Sequence, residues 1–107
     1  MDSFQIVAEP RRREILHLVW DRERSAGEIA QLVDVSFSAV SQHLGILREA
    51  GFVSVRRAGK QRYYRADLVC IGTLKELLED MWSGQVTRLA SLAEQAEQTE
   101  PNGDPRQ

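Results

Sequence analysis

The chain has a single cysteine, Cys70, so it cannot close an internal disulfide, and that usage fits a reducing compartment such as the cytoplasm. That one thiol and two histidines, His17 and His43, are too few soft or borderline ligands for a tight metal site, so neither metal nor cofactor is expected. No apolar run approaches the ~20 residues that span a bilayer, which argues against a membrane partner. The opening residues, MDSFQIVAEPRRR, place an acid ahead of the arginines and hold no uninterrupted apolar stretch, so no signal peptide is expected. There is no glycine-rich phosphate loop, no Cys/His pair at nucleophile spacing and no paired catalytic carboxylates, which excludes an enzyme.

With 107 residues, 42% of them apolar and 28% charged, the chain suits one soluble domain with a modest core. Its net charge of −2 is unevenly spread. From Ser36 to Ala66 six basic residues face Glu49 alone, a balance of +5 against −7 elsewhere. Such a basic block is either a polyanion-binding surface on an acidic body or a solvated hairpin that happens to be basic.

Apolar spacing predicts a short helix over residues 2–8 and a second from Pro10 to about residue 20, carrying Ile15, Leu16 and Val19. Asp21–Arg24 reads as a polar turn. Ser25-Ala-Gly-Glu28 has capping-box spacing and opens a third helix, which Asp34 ends in a left-handed turn conformation. Ser36 is the next N-cap, and Gly51 stands where a C′ glycine closes a helix. The period then falls to two. Phe52–Arg57 and Arg62–Ala66 form a β-hairpin around Ala58–Gln61. Asp67 caps a long last helix to about Gln98, striped by Ile71, Leu74, Leu78, Met81, Trp82 and Leu89 and bent near Ser83-Gly84. The polar, proline-containing residues 99–107 make a frayed tail.

A short helix, a tight turn and a second helix between residues 25 and 50 make a helix-turn-helix. On the second helix Val40, Leu44 and Leu47 face inward, whereas Ser38, Ser41, Gln42 and Gly45 form a small, polar, uncharged face. A merely solvated face would carry Glu and Lys. Short hydroxyls and one amide instead allow entry into a major groove, where glutamine bonds adenine bidentately. Gly45, which costs about 1 kcal/mol of helix propensity, is tolerable where a backbone approaches closely. The hairpin is then a wing, with Arg56, Arg57, Lys60 and Arg62 near its tip to neutralise phosphates. Of the two tyrosines on opposite strand faces, Tyr64 is assigned to the core.

These residues, IVAEPRRREIL followed by GEIAQLVDVSFSAVSQHLGILREAGFVSVRRAGKQRYYRAD, resemble the ArsR-type winged-helix transcriptional repressors, and LLEDMWSGQVTRLASL is similar to the terminal helix of one subgroup. The likeness covers about residues 4–96. It implies a mainly α fold with a small β-hairpin wing, spanning residues 1–98 with a dimerisation helix over about 68–98. It also implies a homodimer, built from the first and last helices, that binds an imperfect inverted repeat in double-stranded DNA and blocks transcription. The DNA-contacting set expected is Ser36, Ser38, Ser41, Gln42 and His43 with Arg56, Arg57, Lys60 and Arg62. The dimer set is Phe4, Ile71, Leu74, Leu78, Met81, Trp82 and Leu89.

Several positions depart from the family pattern. Ser25 and Gly27 stand where arsenic-sensing members place cysteines, and no histidine follows His43 where zinc-sensing members carry ligands. No metal inducer is therefore expected. Cys70 is read as a small buried hydrophobe, and His43 as a core-edge or phosphate-contacting residue. Arg11 and Gly45 replace a common threonine and lysine, which removes one phosphate contact. The competing function is a winged-helix module whose basic hairpin meets an acidic protein.

Overall fold

The computed structural model describes residues 1–84. These fall into two units, residues 1–72 and residues 73–84. The first unit contains helices α1 (Ser3–Ala8), α2 (Pro10–Leu18), α3 (Ala26–Val33), α4 (Phe37–Glu49) and α5 (Leu68–Ile71). Its strands are β1 (Arg24–Ser25), β2 (Val53–Ala58) and β3 (Gln61–Ala66), in an antiparallel sheet of order β1-β3-β2. The mainly helical fold with a small wing matches the expectation. β1, which the sequence suggested was only a turn, pairs Arg24 with Tyr64 and Ser25 with Tyr63.

Local chemistry explains where most elements begin and end. Asp2 and Gln5 exchange side-chain and backbone hydrogen bonds of 2.8 and 2.9 Å, a capping box that opens α1. Ser25 and Glu28 do the same for α3, as their spacing predicts. Asp34, at φ 55 and ψ 46, turns the chain between α3 and α4 in the left-handed conformation that a short polar side chain tolerates. Ser36 Oγ accepts from the Ala39 amide at 3.1 Å and starts α4. Its other end closes through paired bonds, Phe52 N–H to Leu47 O and Gly51 N–H to Arg48 O, each 2.9 Å. This is a Schellman motif, with Gly51 at φ 82 in the left-handed position and buried Phe52 and Leu47 as its apolar partners.

The arginines of PRRR serve helix ends. Helix α1 leaves its last four carbonyls without intrahelical partners. Arg12 donates to Gln5 O and Ile6 O at 3.2 and 2.8 Å, and Arg13 to Val7 O and Ala8 O at 2.7 and 3.0 Å. Arg11 reaches Val33 O at the end of α3, and Arg24 reaches Leu18 O at the end of α2. Cations placed there also complement the negative ends of the helix dipoles. Arg12 is the one charged side chain buried among the described residues.

The core of the first unit gathers Ile15 and Leu16 of α2 with its C-cap Val19, Ile29 and Val33 of α3, and Val40, Leu44 and Leu47 of α4. Val53, Tyr64 and Ala66 line it from the sheet, and the chain returns to it through Ala66 N–H to Val19 O and Asp67 N–H to Phe52 O. Tyr64 is buried as assigned.

The expected long last helix is interrupted. Asp67 does cap a helix, accepting from the Cys70 amide, but α5 has four residues and stops at Gly72 (φ 63). A new helix, α6 (Leu74–Trp82), begins in the second unit and ends at Ser83-Gly84, where only a bend was expected. Cys70 is exposed rather than buried, because so short a helix buries Ile71 alone. Within α6, Leu74 and Leu78 are buried and Leu77 is exposed. Leu89, the helix to Gln98 and the tail 99–107 lie outside the described residues.

Candidate nucleic-acid interface

Helix α4 turns two different faces. Val40, Leu44 and Leu47 are fully buried, whereas Ser38, Ser41, Gln42 and Gly45 are all exposed, as the spacing predicts. Ser41, Gln42 and Gly45 line an open depression that continues to Ile46, Arg48 and Glu49. A Cβ added at Gly45 would meet nothing within 4 Å, so nothing inside the chain requires glycine there. His43 lies on the other side of the helix, half-buried, with Nδ1 3.5 Å from Nη1 of Arg12. It falls on the core edge and apart from the serine and glutamine face.

The wing sorts its cations by strand alternation. β2 and β3 pair from Val53 with Ala66 to Ala58 with Gln61, which leaves a two-residue loop, Gly59-Lys60. Gly59, at φ 63, supplies the positive first torsion that such a loop requires. Along one face of the ribbon run Val53, Val55 and Arg57, opposite Ala66, Tyr64 and Arg62. The apolar part of this face enters the core, and its tip carries Arg57 and Arg62 directly across from one another. Like charges so paired destabilise a sheet. Among the described residues, no acid pairs with Arg57, Lys60 or Arg62, and all three are exposed.

Arg56 takes the opposite face and has a different environment. Its Nε and Nη2 donate to the Glu23 carboxylate at 2.8–3.1 Å, and its guanidinium lies 4.9 Å from the centre of the Tyr63 ring, the residue opposite it on β3. The hydrogen bond from Arg56 holds the Glu23 carboxyl below its ordinary range, and Glu23 in turn raises Arg56. Of the four expected wing cations, Arg56 is thus the one that pairs with an acid among the described residues. Glu23 sits in what read as a featureless polar turn, and no sequence periodicity connects it to residue 56.

Between α4 and the wing lies a cleft of about 340 Å³. Gly27 of α3, Phe37 and Ser41 of α4, and Lys60, Arg62 and Tyr64 of the wing line it. Ser41 lines both concavities, which therefore adjoin at that residue. Phe37 and Gly27 were not expected at the site. Phe37 occupies the first position of α4, directly after the Ser36 cap.

Of the expected dimer residues, Ile71, Leu74 and Leu78 are buried. Phe4 is 68% exposed, and Met81 and Trp82 are half-buried. Among the described residues no three His, Cys, Asp or Glu side chains converge on a metal position. No helix there is long and apolar enough to cross a membrane.

Comparison with known proteins agrees with this geometry. Residues 9–55 match the model of the bacterial regulatory proteins of the arsR family. The HTH-type transcriptional regulator Rv2034 of Mycobacterium tuberculosis is 34% identical over 90 residues, 84% of each chain. The transcriptional activator HlyU of Vibrio cholerae is 34% identical over 76 residues, covering 71% of this chain and 70% of that one. The crystal structure of M. tuberculosis Rv0081 superposes with a TM-score of 0.68 at 32% identity, over 82% of this chain and 89% of that one.

Proposed function

Since this chain belongs to the arsR family of bacterial regulatory proteins, and so is a DNA-binding transcriptional regulator and no enzyme, we propose that it acts as a homodimeric repressor of an imperfect inverted repeat. Each protomer lays α4 in a major groove, with Gln42 and the serines 38 and 41 against base edges. Ser36, whose oxygen is committed to the Ala39 amide, still has a proton to donate to a phosphate. Arg57, Lys60 and Arg62 of the wing neutralise flanking phosphates, and each such contact releases counterions. His43 supports α4 from behind through Arg12 rather than touching DNA.

One observation carries this reading. The small, uncharged face of α4 is continuous, through Ser41, with a wing tip whose cations have no acidic partner among the described residues. A module built to meet an acidic protein would explain the wing but not the neutral face beside it. The domain is taken as residues 1–98, acting in the cytoplasm. The dimer surface is assigned to the apolar side chains still exposed, Phe4 and Leu77, together with Met81 and Trp82 and with Leu89 from outside the described residues. Neither a cofactor nor an inducer is required for binding itself.

Electrophoretic shift and footprinting on the DNA upstream of its own gene, with unrelated competitor DNA present, test the reading. Protection of two half-sites with centres about 10–11 bp apart, or a near multiple, is expected. Uniform weak binding to every duplex, combined with tight capture of acidic proteins, would favour the protein-interaction module. Leu77→Glu, at an exposed position, should yield a folded monomer in sedimentation that no longer protects the operator. Leu78→Glu cannot serve, because it would bury a charge in the chain's own interior.

A further inference from the structure

The cleft between α4 and the wing contains a side chain that phosphate neutralisation does not use. Phe37 is 58% exposed at the first position of α4 and lines the cleft together with Ser41, Lys60 and Arg62. A large apolar ring on a surface otherwise shaped for a polyanion has no electrostatic task there. In helix-turn-helix docking the N-terminal residues of the second helix are the ones that reach base edges. Among those edges only thymine offers an apolar group, its 5-methyl, and phenylalanine is one of the side chains that contacts it.

Resting on the major-groove reading above, we propose that Phe37 reads the 5-methyl group of one thymine in each half-site while Lys60 and Arg62 hold the adjacent phosphates. The cleft then seats one DNA strand, with its phosphates toward the wing and a base edge toward α4. Gly27 keeps the mouth open. A Cβ added there meets nothing within 4 Å, so the missing side chain leaves space rather than relieving an internal clash. Sequence preference would therefore come from both ends of the α4 face, an apolar contact at Phe37 and an amide contact at Gln42 one and a half turns later.

The experiment removes single methyl groups. A duplex enriched by the wild-type protein from a random library is resynthesised with each thymine replaced, one at a time, by deoxyuridine, which pairs identically but has no 5-methyl. Wild type should lose about fourfold in affinity at one thymine per half-site, the worth of burying one methyl group. Phe37→Ala, at an exposed position whose folding is checked by circular dichroism, should bind thymine and uracil versions alike. Gly27→Leu, which narrows the cleft from its open side, should weaken every duplex without lowering the melting temperature. If wild type tolerates uracil at all positions, or if its preference survives in Phe37→Ala, the assignment of Phe37 is overturned while DNA binding stands. Failure of the library to enrich any sequence would overturn the major-groove reading as well. The wild-type arm needs no variant, so the comparison holds however Phe37→Ala behaves.

Discussion

Arg56 and Arg57 are neighbours in the chain but lie on opposite faces of β2, and that alternation decides which is available to a phosphate. Arg57 faces Arg62 with no acid paired to either among the described residues, whereas Arg56 is held by Glu23 and covered by Tyr63. The sequence places four cations near the wing tip. It could not show that one is tethered, because Glu23 comes from a turn 33 residues away that pairs only in the folded chain. The tether has a pH signature. The folded Glu23 carboxyl lies below its ordinary value of 4.5, so the unfolded chain binds more protons across that window. Its contribution to stability is thus complete above about 4.5 and is lost as pH falls through the depressed value. Melting temperatures of wild type and Glu23→Gln should differ by a constant amount near neutrality and converge in acid. For direct readout, Gln42→Ala should lower affinity for the operator by about 1–3 kcal/mol and leave binding to unrelated DNA nearly unchanged. Equal losses on both kinds of duplex would assign Gln42 to the phosphates instead.

Helix boundaries were the most readable part of the chain, because each has a short-range chemical cause. Ser25 with Glu28, Asp34, Ser36 and Gly51 all play the terminal roles their residue types suggest. Two features escaped. Strand β1 has two residues and hence no period to detect, and it exists only because β3 offers an edge to Arg24 and Ser25. The break at Gly72 was read through, since the apolar spacing of Ile71, Leu74 and Leu78 survives an interruption that only the backbone torsion reveals. The outer face of α4 was recognisable from Ser38, Ser41, Gln42 and Gly45, but Phe37 was hidden by its place at a helix start. Gly45 separates the demands of the element from those of the site. With nothing within 4 Å of its added Cβ, Gly45→Ala should raise folding stability by about 1 kcal/mol in chemical denaturation. The same substitution should weaken DNA binding, because the added methyl holds α4 away from the groove. A gain in both would mean that no backbone approaches closely there.

Charge is divided unevenly along the whole chain. The segment from Ser36 to Ala66 carries +5 and the remainder −7. In the proposed complex the basic segment draws the duplex toward α4 and the wing before any base is read. The wing alone should account for much of the salt dependence. In Lys60→Ala/Arg62→Ala, up to four phosphate contacts vanish from a dimer, and the log–log salt slope should flatten by roughly 3–4 units. All sequences should weaken alike, since phosphates carry no base information. An unchanged slope would remove the wing from the interface.

The facing Arg57 and Arg62 have one more consequence. Without an anion between them, they form a small electrostatic spring, compressed in the free protein and relaxed by whatever screens or bridges it. Simple salt does the first and a phosphodiester the second. The free protein should therefore melt at a higher temperature as sodium chloride rises from low concentration, over the range in which its grip on DNA loosens. Stability and affinity would move in opposite directions with one variable. Arg62→Gln should start from a higher melting temperature at low salt and gain less from added ions. If Arg57 and Arg62 meet phosphates as proposed, the spring is more compressed off DNA than on it, so the free regulator is the less stable form.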